Sequence, residues 1–299
     1  MKIVITGASG LVGGELVPTF KAKGHEVFRV SRSKAEKADE IEWDAHEGVA
    51  DEDLAKLENT DAVVHLAGEN IAETWTEEKK RRIRDSRVLG TRTLVDAFRK
   101  VENPPKAFVS ASAIGFYGDR GDEVLTEESQ KGEGFLPEVC EEWENEAAKA
   151  GEFGARTVFL RTGVVLTKKG GALEKMLTPF KFGVGGTVGS GEQWMSWIEL
   201  DDLIRAYHFS LENDELTGPV NATAPNPVPN KEFTDTLGEV LHRPTILPVP
   251  SFGIKMLFGE MGQRLLLEGA RVLPQKLEEA GFEFQFPKLE DALRQALKG

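Results

Sequence analysis

Three glycines near the amino terminus carry the clearest chemical signal in this 299-residue sequence. Gly7, Gly10 and Gly13 have the spacing G-x-x-G-x-x-G; they follow the apolar run Lys2–Thr6 and precede an apolar pattern of helical period. This order of strand, glycine turn and helix is the context that dinucleotide binding requires. The turn lets a pyrophosphate approach main-chain N–H groups at the positive end of a helix dipole. The alternative is a turn that serves packing alone.

The residues after the second predicted strand indicate which dinucleotide is bound. That strand spans residues 25–30, and the sequence Ser-Arg-Ser-Lys follows at 31–34, where an NAD-binding unit places an acidic residue. An acid would repel a 2′-phosphate, whereas the planar donor fork of Arg32 fits one. The sequence therefore predicts NADP rather than NAD. The alternative is that Arg32 is a solvated loop residue beside Glu36 and Asp39.

Composition narrows the class of protein and its partners. The formal net charge of -13 opposes a general nucleic-acid or anionic-membrane partner. The single cysteine, Cys140, cannot form an internal disulfide, and the amino terminus begins a strand instead of a signal peptide. No histidine has metal-ligand spacing, so no metal is expected. We expect a cytoplasmic protein that acts on a small molecule, although a reducing organelle lumen fits equally well; a homodimer stays an open alternative.

Strand and helix signals alternate along the chain, which predicts the α/β class with a doubly wound parallel sheet. After the first two strands, the sequence predicts a helix containing residues 91–99 and strands at 61–66, 107–112 and 157–161.

The second half of the chain is organised differently. Residues 167–191 are rich in glycine and basic, which is typical of a mobile segment that reaches over a ligand. The final segment after the prolines of 225–250 has a helical pattern, with one strand-like aromatic run at 282–286. We expect a Rossmann-like NADP-binding domain at 1–240, with a substrate-lobe loop at about 167–196, and a small C-terminal domain at 241–299.

Motifs spread over nearly the whole chain resemble an extended short-chain dehydrogenase/reductase of the NAD-dependent epimerase/dehydratase kind. They are TGASGLVG (6–13), HLAG (65–68), VLGT (88–91), VSASAIGFYG (109–118), LRTGVVL (160–166) and GPVNATAP (218–225). More narrowly, three segments resemble the atypical epimerase-like proteins of that superfamily. They are GEN (68–70), SGEQWMSWIELDDL (190–203) and LPQKLEEAGFEFQFPKLEDAL (273–293). That group has a small C-terminal domain of unknown function, and some members carry names such as sugar-nucleotide epimerase or cell-division inhibitor.

The sequence lacks the Tyr-x-x-x-Lys pair that the resemblance implies. In related enzymes this tyrosine exchanges the substrate proton, and the lysine lowers its pKa. Neither Tyr117 nor Tyr207 is followed by a lysine four residues later. The resemblance places Cys140 and Glu144 at the two positions, and a glutamate cannot supply the missing cation. We expect Cys140 to be a packed residue, and Glu144 to lie on a solvated helix face unless it points into a closed pocket.

Three residues are predicted to be catalytic. Ser112 matches the family's serine, with Ser110 as the competing assignment, and would donate to a substrate oxygen at a strand's carboxyl end. The alternative is a hydroxyl that closes a local backbone bond. Tyr117 is a candidate replacement acid, with simple packing as its alternative. Glu69, followed by Asn70, is expected to face the nicotinamide side, where an acid or a bound water could handle the proton.

Two further groups extend the predicted site. Arg87, with Arg84 one turn behind it, ends a basic run and is a candidate for contacting a phosphate. Trp194 and Trp197 would stack a flat or sugar-like ligand, or close a hydrophobic seam between lobes. The predicted cofactor-binding residues are Gly7, Ser9, Gly10, Leu11, Val12, Gly13, Ser31, Arg32, Ser33, Leu66, Ala67, Gly68, Glu69, Arg87 and Ser110.

Two functions are consistent with these features. The first is an NADP(H)-dependent oxidoreductase or epimerase-like enzyme that acts on a small carbonyl or sugar-related substrate by hydride transfer. The second is a catalytically inactive NADP(H)-binding regulator that reports the NADP/NADPH ratio to a protein partner. The missing tyrosine and lysine favour the second, and the polar groups of the expected pocket favour the first.

Overall fold

The computed structural model describes residues 1–298. Its strands are β1 (Lys2–Thr6), β2 (Glu26–Ser31), β3 (Glu40–Asp44), β4 (Gly48–Val49), β5 (Ala62–His65), β6 (Ala107–Ala113), β7 (Val124–Leu125), β8 (Arg156–Thr162), β9 (Val164–Leu166), β10 (Trp194–Met195), β11 (Trp197–Glu199), β12 (Gly218–Ala222), β13 (Val228–Pro229) and β14 (Arg271–Val272). Its α-helices are α1 (Gly13–Ala22), α2 (Glu77–Phe98), α3 (Phe135–Ala148), α4 (Gly171–Lys181), α5 (Leu200–Glu212), α6 (Asn230–Leu241), α7 (Ser251–Gly262), α8 (Gln275–Glu279) and α9 (Leu289–Lys298). Within residues 1–298, no helix combines the length and apolar character needed to cross a bilayer.

The central sheet has eight strands in the order β12-β8-β6-β5-β1-β2-β3-β4. All neighbouring pairs are parallel except β3 and β4. The strand order reverses between β1 and β5, because the chain runs outward to β3 on one side and to β12 on the other. In open α/β sheets, ligands bind in the crevice at such a switch point, beyond the carboxyl ends of the strands.

Apolar strands buried on both faces explain why this sheet forms. Ile3, Val4 and Ile5 of β1 are fully buried, as expected for a central parallel strand. Helices α1 and α5 cover one face of the sheet, and α2 and α3 cover the other. The side chain of Thr76 caps α2 by accepting a bond from the Lys79 N–H at 3.1 Å. The predicted doubly wound fold is confirmed.

A smaller lobe is built on the carboxyl side of the sheet. Its core joins α4, α6 and α9 around the short strands β9 and β11, with the fully buried Trp197 at the centre. The C-terminal segment returns to the larger lobe, since β14 pairs with β7 and the Ser196 hydroxyl bonds the main chain at Ala270 and Val272. The division of the chain at residue 240 stays a prediction.

Two local predictions were wrong. The glycine-rich segment 167–191 contains the helix α4, whose Leu173, Leu177 and Phe180 are buried at helical spacing. Glycines on both sides of this helix hid that period. The aromatic run 282–286 forms no strand; the Phe282 ring packs edge-on against Phe284, with centroids 4.8 Å apart. Aromatic residues at alternate positions are typical of a strand, but here both rings pack into the hydrophobic core beneath α5.

Candidate active site

The glycine turn between β1 and α1 is tightly closed. Gly7 has a φ of +66°, and the carbonyl oxygen of Gly7 accepts a bond from the Gly10 N–H at 2.9 Å. A Cβ atom on Gly13 would lie 2.3 Å from that same oxygen, so a side chain there is excluded. Ser9 and Gly10 are exposed at the tip of the turn. The main chain at the start of α1 is therefore open to an anion.

A buried histidine ties this turn to the neighbouring strand. His65 bonds Thr6 through Nδ1 at 2.8 Å and Thr91 through Nε2 at 2.9 Å. Since the Thr91 hydroxyl donates to the Arg87 carbonyl, we assign the proton of the ring to Nε2. Burial lowers the pKa of His65 to about 3, so the ring is neutral. The Thr6 hydroxyl oxygen also accepts the N–H groups of residues 66 and 67, which fixes the carboxyl end of β5 beside the turn.

Arg32 lies just beyond the end of β2 and is exposed. Within residues 1–298, its guanidinium has no carboxylate within 4.0 Å. The alternative partner Asp39 is instead bonded to Lys21 at 2.9 Å and to Arg29 at 3.4 Å. The flanking Ser31 and Ser33 are also exposed. The donor fork of Arg32 is free to meet a ligand.

The segment after β5 is held by α2. The Lys79 ammonium is buried and bonds the Glu69 carboxylate at 2.7 Å. This hydrogen bond and charge hold the pKa of Glu69 below its ordinary value, so Glu69 is ionised near neutral pH. An ionised Glu69 can accept a proton but has none to donate.

Arg87 reaches from α2 to the same segment. One of its terminal nitrogens, Nη1, donates to the carbonyl oxygens of Glu69 and Ile83, each at 3.1 Å. Its Cζ lies 5.2 Å from the centre of the Trp143 ring. A Cβ on Gly68 would stand 3.1 Å from that Cζ, so a side chain there would press on the guanidinium and displace it by a few tenths of an ångström.

The start of α4 lies across the glycine turn. The methyl groups of Leu11 would lie 3.2 and 3.3 Å from Cβ atoms built on Gly170 and Gly171. Lys169 bonds Glu15 of α1 at 2.7 Å. The segment expected to cover a ligand does lie beside the predicted nucleotide site, but its central part is a helix.

Ser112 belongs to a buried charged cluster. Its hydroxyl donates to Oε1 of Glu144 at 2.6 Å. Arg161 on β8 forms a bidentate pair with the same carboxylate, with Nε to Oε1 at 2.8 Å and Nη2 to Oε2 at 2.7 Å. All three residues are at least nine-tenths buried. The expectation of a solvated face was therefore wrong for Glu144, because Arg161 supplies the compensating charge inside the protein.

Tyr117 extends this cluster. Its phenol donates to Oδ1 of Asn221 at 2.7 Å and accepts from Nη1 of Arg161 at 3.0 Å. The residue is fully buried, and burial raises the pKa of the phenol despite the adjacent guanidinium. With both hydrogen-bonding roles filled, this arrangement favours the packing alternative for Tyr117.

Ser110 and Cys140 lie near this cluster but form no hydrogen bond to its charged side chains. The Ser110 hydroxyl closes a local bond to the Ala111 carbonyl at 3.0 Å, so Ser112 is the serine that joins the charged cluster. Burial and the negative charge of Glu144 raise the pKa of the Cys140 thiol to about 12. Cys140 is therefore a neutral packed side chain at neutral pH.

The two tryptophans close the seam between lobes. Trp197 is fully buried and donates to the Asn226 carbonyl at 3.1 Å. Trp194 donates to Asp122 at 2.8 Å, and the Arg271 guanidinium lies 4.4 Å from its ring centre. These contacts fit the seam alternative better than a stacking surface for a ligand.

Sequence reasoning missed Arg161 and Asn221, the two residues that complete the cluster. Both lie within quoted motifs, LRTGVVL and GPVNATAP. The available signal was a charged residue inside an otherwise apolar strand, since β8 reads RTVFLRT. A charge at a buried strand position requires a partner.

Two family models match this chain. A family model described as the NAD dependent epimerase/dehydratase family matches residues 3–222. The chain belongs to that family. A second model, a domain of unknown function (DUF1731), matches residues 249–296. The resemblance of the sequence motifs is thereby confirmed, including that of the C-terminal segment.

Individual relatives match over nearly the whole chain. The chloroplastic SDR39U1 homolog of Arabidopsis thaliana, an epimerase family protein, is 42% identical over 98% of this chain and 86% of its own length. The epimerase family protein YfhF of Bacillus subtilis is 39% identical over 99% of this chain and 98% of its own length. The crystal structure of human SDR39U1 (isoform 2) with NADPH has a TM-score of 0.90 at 34% identity, covering 99% of both chains.

Proposed function

We propose that this protein is an NADP(H)-dependent oxidoreductase or epimerase-like enzyme that acts on a small carbonyl or sugar-related substrate. The observation that carries the proposal is the pairing of the closed glycine turn with a free arginine fork at the end of β2. The relative crystallised with NADPH supports the choice of cofactor. NADP(H) is therefore the cofactor that we assign to the crevice between β1 and β5.

The residues around the switch point fit this cofactor. The main-chain N–H groups of Leu11, Val12 and Gly13 would hold the pyrophosphate, because they have no acceptor in the described chain, whereas the Gly10 N–H is bonded to Gly7. Arg32, with the hydroxyls of Ser31 and Ser33 beside it, would hold the 2′-phosphate. The remaining predicted contacts lie along the same edge of the sheet. They are Ser9, Leu66, Ala67, Gly68, Glu69 and Ser110.

When bound, the nicotinamide supplies or accepts the hydride. Ser112 would contact the substrate oxygen. Its hydrogen bond to Glu144 offers the Ser112 hydroxyl proton a carboxylate that can accept it. In the oxidation of an alcohol, the substrate proton passes to the Ser112 oxygen while the Ser112 proton passes to the Glu144 carboxylate. The reverse transfer protonates the substrate oxygen during reduction. Glu69, Tyr117 and a bound water remain alternative routes for the proton.

A second function is favoured by one observation. The Ser112 hydroxyl is already bonded to Glu144, and the Tyr117 phenol has both partners inside the protein. A site whose donors are satisfied by one another suits a protein that binds NADP(H) without turning it over. The alternative is therefore a regulator that reports the NADP/NADPH ratio.

Turnover with NADPH separates these two functions. The protein would be mixed with NADPH and a panel of aldehydes, quinones and nucleotide sugars, and the absorbance of reduced nicotinamide would be followed. Loss of absorbance that disappears in Ser112→Ala supports the enzyme. Tight binding of NADPH without turnover of any compound supports the regulator.

The cellular location, the partners and the domain division are also proposals. We propose a cytoplasmic protein that acts on a small molecule without a nucleic-acid or membrane partner, because the net charge of -13 repels polyanions. We also retain the two-part division, with the NADP-binding part at 1–240 and the small C-terminal domain at 241–299.

A further inference from the structure

The Arg87 guanidinium is a cation in the site without a carboxylate partner. Within residues 1–298, its two hydrogen bonds go to main-chain carbonyl oxygens, and both are made by Nη1. The other terminal nitrogen, Nη2, and the inner nitrogen, Nε, have no acceptor in the described chain. Neither of these two atoms is sealed from solvent. The complete Nε–Nη2 edge of Arg87 is therefore unoccupied by the described chain and reachable from solvent.

This edge is held in place before any ligand binds. The two carbonyl bonds fix one end of the guanidinium plane, and Trp143 lies against it at 5.2 Å. The absence of a side chain on Gly68 leaves the space that the guanidinium fills. Two parallel N–H groups on one edge match the two oxygens of a carboxylate. The fixed orientation lowers the entropy lost when an anion binds.

The surroundings favour an anion at this position. Partial burial lowers the pKa of Arg87 below its ordinary value, because the charged form loses hydration. The nearby carboxylates are already engaged: Glu69 pairs with Lys79, and Glu144 pairs with Arg161. An incoming anion would supply the missing counter-charge.

The position of Arg87 in the fold favours a ligand group other than the nucleotide phosphates. Arg87 packs on Trp143 of α3, which is one turn from Cys140 and next to Glu144, the two positions that the resemblance assigns to the family's tyrosine and lysine. The predicted pyrophosphate position is at the start of α1, which covers the face of the sheet opposite to that of α2. Arg87 was a candidate for contacting a cofactor phosphate, and its place beside α3 favours the substrate instead.

We propose that the Nε–Nη2 edge of Arg87 binds a carboxylate of the substrate, so that the substrate class is a small carbonyl compound bearing a carboxylate, such as a 2-oxo acid or its hydroxy acid. This inference rests on the proposed function for the role of the bound compound as a substrate. The anion site itself is defined by residues of this chain alone.

Calorimetric titration with pyruvate tests the proposal in the protein saturated with NADP⁺, where no reduction can occur. Acetone serves as the matched probe because it has the carbonyl without the carboxylate, and inorganic phosphate tests the other class of anion. We expect saturable binding of pyruvate and none of comparable strength for acetone. In Arg87→Gln, pyruvate affinity should fall by about tenfold or more, as for loss of a charge-assisted bidentate contact.

Two variants control this measurement. Arg81→Gln removes the same charge from an exposed position of α2 with no ion pair in the described chain, and it should bind pyruvate like the wild type. Arg87→Lys keeps a cation but loses the planar edge, so it should bind pyruvate more weakly than the wild type. If Arg87→Gln does not fold, as judged by circular dichroism, Arg87→Lys decides the outcome.

Several results would overturn the proposal. They are equal pyruvate affinity in wild type and Arg87→Gln, no pyruvate binding by the wild type, and phosphate bound in preference to pyruvate. Loss of NADP⁺ affinity in Arg87→Gln with pyruvate affinity unchanged would return Arg87 to the cofactor. If the wild type binds no NADP⁺, the proposed function fails, and the pyruvate titration without cofactor still tests the anion site.

Discussion

At the carboxyl edge of the sheet, the residues around β1 and β2 leave donors free, whereas those around β6 and β8 are bonded to one another. The fork of Arg32 has no carboxylate within 4.0 Å in the described chain, and the glycine turn is open at its tip. By contrast, Ser112, Glu144 and Arg161 are buried and mutually bonded. Binding a ligand needs free donors, and stability needs paired ones. The nucleotide side is thus built for a ligand, and the β6–β8 side contributes to the stability of the fold.

Breaking the buried ion pair of Glu144 and Arg161 should have the largest effect on stability. Arg161→Leu leaves the Glu144 carboxylate buried without its cation, and we expect a loss of about 3–5 kcal/mol in the free energy of unfolding. Urea denaturation measures this loss. Arg84→Leu is the matched control, because its ion pair with Glu142 is half-exposed and should contribute less than about 1 kcal/mol.

A double replacement sharpens the result. Glu144→Leu combined with Arg161→Leu removes both charges, so it should recover much of the stability lost in Arg161→Leu. If Arg161→Leu costs no more than Arg84→Leu, the β6–β8 side is not held by its charges, and the contrast between the two sides is lost.

The reactivity of Cys140 probes the same buried side. Its thiol pKa is raised from 9.0 to about 12 by burial and by Glu144. At pH 8 the native protein should therefore react with iodoacetamide about a thousandfold more slowly than the urea-unfolded chain, because the thiolate is the reactive form. Mass spectrometry detects the single site, since the chain has one cysteine.

A thiol on the exposed glycine turn provides the reactive control. Ser9→Cys places a thiol on the exposed glycine turn, where we expect alkylation at an ordinary rate. Rapid labelling of Cys140 in the native wild type would contradict the burial of its thiol.

The glycine turn allows a comparison of adjacent positions. A Cβ on Gly13 would collide with the Gly7 carbonyl oxygen at 2.3 Å, whereas a Cβ on Gly14 meets nothing within 4 Å. We expect Gly13→Ala to cost about 1–3 kcal/mol and to abolish NADPH binding. Gly14→Ala should be neutral or more stable by about 0.5–1 kcal/mol, because alanine favours the helix. Equal unfolding energies and NADPH affinities for the two variants would contradict this geometry.

His65 connects the glycine turn to the core, and its titration should make the stability of the fold depend on pH. Its pKa is lowered by burial from 6.5 to about 3. Above pH 6.5 neither the folded nor the unfolded state is protonated, so stability is unaffected. As the pH falls toward 3, the unfolded state takes up the proton, and stability drops by about 1.4 kcal/mol per pH unit.

A variant isolates this contribution. His65→Gln should flatten the dependence of the unfolding free energy on pH between 6 and 4 by about 1 kcal/mol per unit. The exposed His46→Gln should leave the slope as in the wild type. An unchanged slope in His65→Gln would show that the imidazole titrates normally in the folded protein.

The sequence predicted the two sides of the site unequally. The doubly wound sheet followed from apolar strands and the glycine spacing, because those signals are local. The role of Glu144 did not, since its partner Arg161 is 17 residues away on a different element. The bond between Tyr117 and Asn221 spans 104 residues. Only the folded chain brings such groups together, which is why the sequence could name Ser112 but not its cluster.

The second lobe was the hardest part to predict. Helix α4 is short and lies between glycines that dominate the local pattern, so its buried face of Leu173, Leu177 and Phe180 was not recognised. The rings of Phe282 and Phe284 imitate a strand because alternate positions are aromatic. Tertiary packing, rather than local preference, decided both segments.

Binding of NADPH and NADH, measured by calorimetry on the wild type and on Arg32→Ala, tests the central claim most directly. We expect the wild type to bind NADPH more tightly than NADH. In Arg32→Ala, we expect the affinity for NADPH to fall by about tenfold or more, as for loss of a charge-assisted contact, and the affinity for NADH to stay unchanged. Equal loss for both cofactors, or no heat of binding for either one with the wild type, would contradict the central claim.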